Sequence, residues 1–177
     1  LARLTEGLRA SCRAPVKWVA GDAMHLTLKF LGAVPASQID EIRSAVATAC
    51  AGTGPLHLHA ASLGAFPSAR SPRVVWVGLQ GDAEALGCLA RRIDDATSRL
   101  GFPRETRSFT PHLTLGRVRQ EATTAQRASI ATALQNTTEA DPEPFDASEV
   151  SIMRSHLSPE GARYTCLGRV GLTRHDS

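Results

Sequence analysis

Two stretches of this chain pair a histidine with a threonine two positions later: His25-Leu26-Thr27-Leu28 and His112-Leu113-Thr114-Leu115. Two imidazoles brought to one place can divide the work of proton transfer. With an intrinsic pKa near ~6.5, one ring is available neutral as a general base and another protonated as a general acid at neutral pH. Each such transfer contributes about 10²–10⁴ in rate. A hydroxyl on the same face as each ring can donate to an anionic oxygen. Two imidazoles and two hydroxyls around one cleft therefore make a site for a phosphodiester that needs no metal. The acid protonates the leaving oxygen, the base activates water, and the hydroxyls hold the non-bridging oxygens as charge builds up. A single strand histidine is more often structural, and it is the second copy that argues for chemistry.

Such a site needs elements that turn each histidine and its threonine the same way. Both tetrads alternate polar and apolar residues, the pattern of a half-buried β-strand, and residues i and i+2 of a strand share a face. His25 and Thr27 then point one way and Leu26 and Leu28 the other, into a core. His112 and Thr114 repeat the arrangement. The copies lie 87 positions apart in a chain of 177, so two similar halves are expected to present them.

Around the tetrads the periodicities predict a helix over 1–14, carrying Leu1, Leu4 and Leu8, and a short strand at 16–19. The first tetrad falls in a strand from about 24 to 31. A helix over 36–50 with Ile39, Ile42 and Val46 inward follows, then strands over 56–66 and 73–79. A helix runs from Asp82, a good N-cap, to Leu100, with Gly101 suited to its C-terminal end. The second tetrad opens a strand over 112–118, and a further helix spans 123–136. Asp141-Pro142-Glu143-Pro144 reads as a linker-like turn. Strands over 145–155 and 163–170 close the chain, joined by a hairpin turn at Ser158-Pro159-Glu160-Gly161, and 171–177 form a tail. The fold expected is α+β: two pseudo-symmetric lobes, each an antiparallel sheet with outer helices, with the active-site cleft between them in one domain over 1–177.

Composition bounds the function classes. Hydrophobic residues make up 42% and charged residues 21%, with a net charge of +3, ordinary values for a soluble globular protein. The mild basicity is compatible with an anionic ligand without demonstrating one. The four cysteines (Cys12, Cys50, Cys88 and Cys166) are scattered and suggest neither a zinc site nor a disulfide framework, so reduced thiols in a cytoplasmic protein are expected. No apolar run approaches the ~20 residues of a membrane span. The start has no signal-peptide layout and no initiator Met, so the true beginning is expected upstream.

Other candidates read as background. His57 and His59 share a strand face, where a solvated surface is favoured over a metal pair. His156 precedes a turn and suits a structural role or a cleft rim, and His175 lies in the tail. Trp18, Trp76 and Phe30 are expected in the core, Phe30 because it falls in phase with the leucines of the first tetrad. Lys17, Arg104 and Arg107 suit scattered surface charge better than an RNA-attracting rim. Tyr164 is a candidate to stack on a base.

The stretches His25-Leu26-Thr27-Leu28-Lys29-Phe30-Leu31-Gly32 and Phe109-Thr110-Pro111-His112-Leu113-Thr114-Leu115-Gly116-Arg117-Val118 closely resemble the two signature motifs of the 2H phosphoesterase superfamily. More narrowly they are similar to the RNA 2',3'-cyclic phosphodiesterases, also described as 2'-5' RNA ligases. Lys17-Trp18-Val19, Gly101-Phe102-Pro103, Ser155, Leu157-Ser158-Pro159, Gly161 and Tyr164 extend the likeness over nearly the whole chain. The resemblance implies hydrolysis of a terminal 2',3'-cyclic phosphate on RNA, or of a cyclic nucleotide, to a 2'-phosphomonoester, with no cofactor and no metal. It implies His25 as proton donor to the departing 3' oxygen and His112 as the base that activates water. It also implies Thr27 and Thr114 on phosphate oxygens and Arg117 as a phosphate contact, in a monomer with no membrane partner. The alternatives are 2'-5' ligation or 2'-5' phosphodiester cleavage by the same histidines, and a non-catalytic module that binds RNA ends. The family usually opens with a strand of the type Arg-Leu-Phe-Val-Ala before its first helix. This chain opens inside that helix, so one lobe is expected to have one strand fewer in the chain shown.

Overall fold

The computed structural model describes residues 1–137, 143–158 and 161–174. Asp141-Pro142 of the expected linker turn, Pro159-Glu160 of the expected hairpin turn and His175 lie outside the described residues. The chain divides into two compact units, one built from 1–26, 59–80 and 111–144 and the other from 27–58, 81–110 and 145–177.

The first unit is a sheet with two helices. Strands β1 (Val16–Trp18) and β3 (Val74–Gly81) both pair antiparallel with β4 (His112–Val118). Val75, Val77 and Leu79 of β3 and Leu113 and Leu115 of β4 are buried. They alternate with outward residues, as the period of two requires. Leu4 and Leu8 of α1 (Ala2–Ser11) and Ile130 and Ala133 of α4 (Thr124–Asn136) are also buried. Helix α4 opens with a capping box: the Gln126 N–H donates to Thr123 Oγ1 at 3.2 Å and the Thr123 N–H to Gln126 Oε1 at 2.8 Å. Helix α1 stops at Ser11, three residues short of the expectation.

The second unit packs α2 (Ile39–Cys50) against α3 (Ala83–Ser98) through Ile42, Val46, Leu86, Leu89 and Ile93. A 3-10 turn at Ala36–Gln38 precedes α2 where one continuous helix was expected. Asp82 precedes α3 as its N-cap, but its carboxylate accepts the His57 N–H at 2.9 Å instead of a helical one. Gly101 adopts φ +93, the left-handed conformation that ends α3 without a side-chain clash. Strand β2 (Leu56–Phe66) starts in this unit, where Leu56–Leu58 pair with β5 (Phe145–Ala147), and continues into the first unit. The sheet order is β1-β4-β3-β2-β5, and β6 (Glu149–Ser158) and β7 (Gly161–Gly171) form a separate two-stranded sheet. The α+β class and the antiparallel sheets are as expected. Among the described residues no helix is long and apolar enough to cross a membrane.

The strand expected over 145–155 is split into β5 and β6, which belong to different sheets, and the stretch around the first tetrad also departs from expectation. Residues 24–31 do not form a strand; they make one isolated bridge, Leu26 to Leu113. Alternation holds from His25 to Leu28 and then slips at a bend. Lys29 turns inward, its side chain only 7% exposed, to pair with Asp94. Phe30 consequently turns outward and is 75% exposed, which overturns the expectation that it lies in the core.

Candidate active site

The second motif is carried by β4. Leu113 and Leu115 enter the core, and His112 and Thr114 take the opposite, half-buried face. Across the ladder Gly78 stands opposite His112, and Trp76 opposite Thr114. Phe66, at the end of β2, meets the His112 ring edge-on, with centroids 5.0 Å apart at 80°. Trp76 lies 6.0 Å from the same ring and 5.1 Å from Phe66. Two glycines make room for the indole. A Cβ at Gly64 would stand 2.3 Å from Trp76 Cζ2, and one at Gly78 would meet Ser62 Oγ at 2.9 Å and Trp76 Cζ3 at 3.4 Å. Glycine inside a strand commonly marks such a close approach.

The ladder between β3 and β4 shifts register between Val75 and Trp76, which pair with Gly116 and Thr114 and leave Leu115 as the extra residue. Bulges of this kind re-aim the side chains that follow. Leu115 and Gly116 are both buried, Arg117 is exposed and Val118 is buried again. After the slip Arg117 is exposed. In an unbroken strand Arg117 would share a face with Leu113 and Leu115.

The first motif reaches this face through the antiparallel bridge of Leu26 to Leu113. In sequence His25 and Thr27 flank Leu26, and His112 and Thr114 flank Leu113, so the bridge joins the two motifs at their central leucines. His25 is exposed, and its Nδ1 lies 2.9 Å from the carbonyl oxygen of Ala23. A carbonyl only accepts, so Nδ1 is the donor of this hydrogen bond. Thr27 is exposed two residues beyond His25 and begins the second unit.

A family model described as the 2'-5' RNA ligase superfamily matches residues 2–159. The chain belongs to that superfamily. An RNA 2',3'-cyclic phosphodiesterase of Methanothermobacter thermautotrophicus is 34% identical over 93% of this chain and 86% of its own length. One from Aeropyrum pernix is 29% identical over 96% and 93%. Among solved structures, a Thermus thermophilus protein shares the fold with a TM-score of 0.76 at 22% identity, over 99% of this chain and 92% of its own. The apo form of E. coli LigT aligns with a TM-score of 0.69 at 27% identity, over 98% and 93%. LigT has also been solved with phosphate, 3'-AMP, ATP and NADP+.

In this superfamily member two cavities of about 220 and 230 Å³ lie at α2–α3 and beside α1. Neither is lined by His25 or His112, and the strand geometry rather than cavity volume marks the candidate site. His57 is exposed and its Nδ1 pairs with the Asp146 carboxylate. Among the described residues no three His, Cys, Asp or Glu side chains gather as a metal site.

Three features of the structure were not anticipated. Phe66 reads in the sequence only as the end of a strand, and Trp76 as a core residue; Gly64 and Gly78, set inside the two strands, were the available signal. The third is a polar pin in the second unit. The Lys29 ammonium bonds the Asp94 carboxylate and the Pro103 carbonyl, and Asp94 also accepts the Glu105 N–H at 3.0 Å. Burial pushes the Asp94 carboxyl up. Lys29, the Glu105 N–H and Arg104 outweigh that effect and hold it below the ordinary carboxylate value. The pin ties the residues after the first motif to the loop before the second.

Proposed function

We propose that this protein hydrolyses terminal 2',3'-cyclic phosphates of RNA to 2'-phosphomonoesters, with His25 as general acid and His112 as general base. The observation that supports the reading is the Leu26–Leu113 bridge, which joins the segment that carries His25 to the strand that carries His112. Water attacks phosphorus opposite the 3' oxygen. His112 takes the water proton, the bond from phosphorus to the 3' oxygen breaks, and His25 delivers a proton to that oxygen. The products are a 2'-phosphomonoester and a free 3'-hydroxyl. Thr114, Thr27 and Arg117 hold the non-bridging oxygens as their charge grows. Two imidazoles supply both proton transfers, so the reaction calls for no metal or cofactor. Relatives named as RNA 2',3'-cyclic phosphodiesterases and a LigT solved with 3'-AMP support the substrate class.

The test is turnover of an RNA oligonucleotide ending in a 2',3'-cyclic phosphate, with products separated by position of the phosphate. His25→Ala and His112→Ala should each lose about 10²–10⁴ in kcat at unchanged circular dichroism, and EDTA should leave activity intact. Rate against pH should be bell-shaped, with apparent pKa values belonging to the pair. Full activity in either variant refutes the two-histidine mechanism. A 3'-phosphate product refutes the assignment of the leaving oxygen.

A further inference from the structure

Past the Leu26–Leu113 bridge the chain from Thr27 to Leu31 runs outside any helix or strand. Lys29 fastens this stretch. Its ammonium donates to the Asp94 carboxylate and to the Pro103 carbonyl, and the same carboxylate accepts the Glu105 N–H at 3.0 Å. Thr27, Lys29, Asp94, Pro103 and Glu105 all belong to one compact unit. Asp94 is a firm anchor there. It lies in α3 next to Ile93 and one turn before Thr97, both of them buried.

Burial alone would select a different arrangement. Continuing the alternation of the tetrad would leave Lys29 in water and place Phe30 in the core with Leu26 and Leu28. The chain instead desolvates an ammonium, which is costly even when the charge is paired. It also leaves Phe30 75% exposed, although an aromatic ring is among the largest apolar surfaces a core can take up. Apolar residues of similar volume often replace a buried ion pair with no loss of stability. The pair therefore stands out for the one conformation it specifies, and that conformation is set two residues from Thr27. Two residues of chain span at most about 7 Å. A backbone held at the Leu26 bridge and again at Lys29 leaves Thr27 little freedom, although Thr27 itself is exposed.

We infer that the Lys29–Asp94 pair is a positioning device for the reaction: it holds Thr27 so that its hydroxyl donates to a non-bridging phosphate oxygen as charge builds up. The inference rests on the two-histidine reading above and adds to it two positioning residues, neither of which takes part in proton transfer. They act through Thr27, whereas His25 has its own tether at the Ala23 carbonyl.

Lys29→Met/Asp94→Leu leaves neither charge buried alone, and its thermal melt should show a folded protein. On a 2',3'-cyclic nucleotide its kcat should fall about 10²-fold, the effect of a misplacement of about 1 Å, with KM little changed. Asp94→Asn, which keeps the shape of the side chain, should show the same pattern more weakly. A pair that served stability alone would lower Tm and leave kcat intact below the transition. Thr27→Ala should itself lose about 10²-fold. Adding the Lys29/Asp94 substitutions to it should lower kcat almost no further, because they act through a hydroxyl already removed. By 15N relaxation the order parameter of the Thr27 amide should drop from about 0.85 to below about 0.6 in Lys29→Met/Asp94→Leu, with the Thr114 amide unchanged. Wild-type kcat in that variant, additive losses with Thr27→Ala, or a Thr27 amide that stays rigid overturns the inference. If the wild type turns over no 2',3'-cyclic substrate, the functional reading fails by itself. The relaxation measurement then still decides whether the pair holds Thr27.

Discussion

The packing beside His112 yields a quantitative prediction at a residue that touches no substrate. An alanine Cβ at Gly64 would stand 2.3, 2.5 and 2.7 Å from Cζ2, Cη2 and Cε2 of Trp76, whereas ordinary contact begins at 3.4 Å. The indole must therefore retreat by about 1 Å. It is a rigid ring with Phe66 5.1 Å away, so the strain cannot be relieved by rotating a flexible tail. Overpacking of this kind costs about 1–3 kcal/mol, and in a chain of this size each kcal/mol lowers Tm by about 2–4 °C. The same displacement reaches His112, whose ring centroid is 6.0 Å from the indole. A 1 Å error in a catalytic group costs about 10²-fold. Gly64→Ala is thus expected to lose about 10²-fold in kcat on a 2',3'-cyclic substrate, with KM little changed, together with a measurable fall in Tm. Adding Trp76→Phe removes the clashing carbons and should restore most of both. Wild-type kcat in Gly64→Ala would refute the argument that the aromatic wall positions His112. Failure of the double variant to recover would refute the assignment of the clash to Trp76.

Two further outcomes follow from the rest of the chain. Asp94→Asn should destabilise by about 3 kcal/mol, the low end for a buried pair, because Asp94 is 17% exposed whereas the Lys29 side chain left unpaired is 7% exposed. The folded Asp94 carboxyl lies below its ordinary value of 3.8. Its contribution is therefore full above that pH and is lost as pH falls through the folded value, so urea melts of wild type and Asp94→Asn should converge in acid and separate at neutral pH. Gly7→Ala should raise stability by about 0.5–1 kcal/mol, since Gly7 is exposed within α1 and a Cβ there meets nothing within 4 Å; a lower Tm would refute it.

How far the fold was legible depends on whether it is carried by local period or by distant partners. The strand from His112 to Val118 alternates within itself, and its bounds agree with expectation. The same tetrad at His25 carries an identical local pattern and forms only a bridge. The difference lies in Lys29, whose partner Asp94 is 65 positions away; nothing near Lys29 in sequence announces that pairing. Once Lys29 is drawn inward, period two is broken and Phe30 is turned out. The β4 bulge acts on Arg117: strict alternation would have placed it with the buried leucines, and after one extra residue it is exposed. The aromatic neighbours of His112 come from β2 and β3, so a reading of motifs alone shows the histidine without the rings that hold it.

The two motifs are equal in sequence and unequal in support. His25 is exposed and its ring is oriented by a hydrogen bond from Nδ1 to the Ala23 carbonyl, at the end of a 3-10 turn only three residues long. His112 is half-buried on a central strand, its ring met edge-on by Phe66 and flanked by Trp76. A group that activates water must hold its nitrogen on a line fixed relative to phosphorus, and a packed strand with two aromatic walls supplies that rigidity. A group that hands a proton to a departing oxygen has to follow an atom that moves, and an exposed ring tethered at one nitrogen has that freedom. What surrounds each ring supports the unequal roles proposed for His112 and His25, although the tetrads that present them are identical.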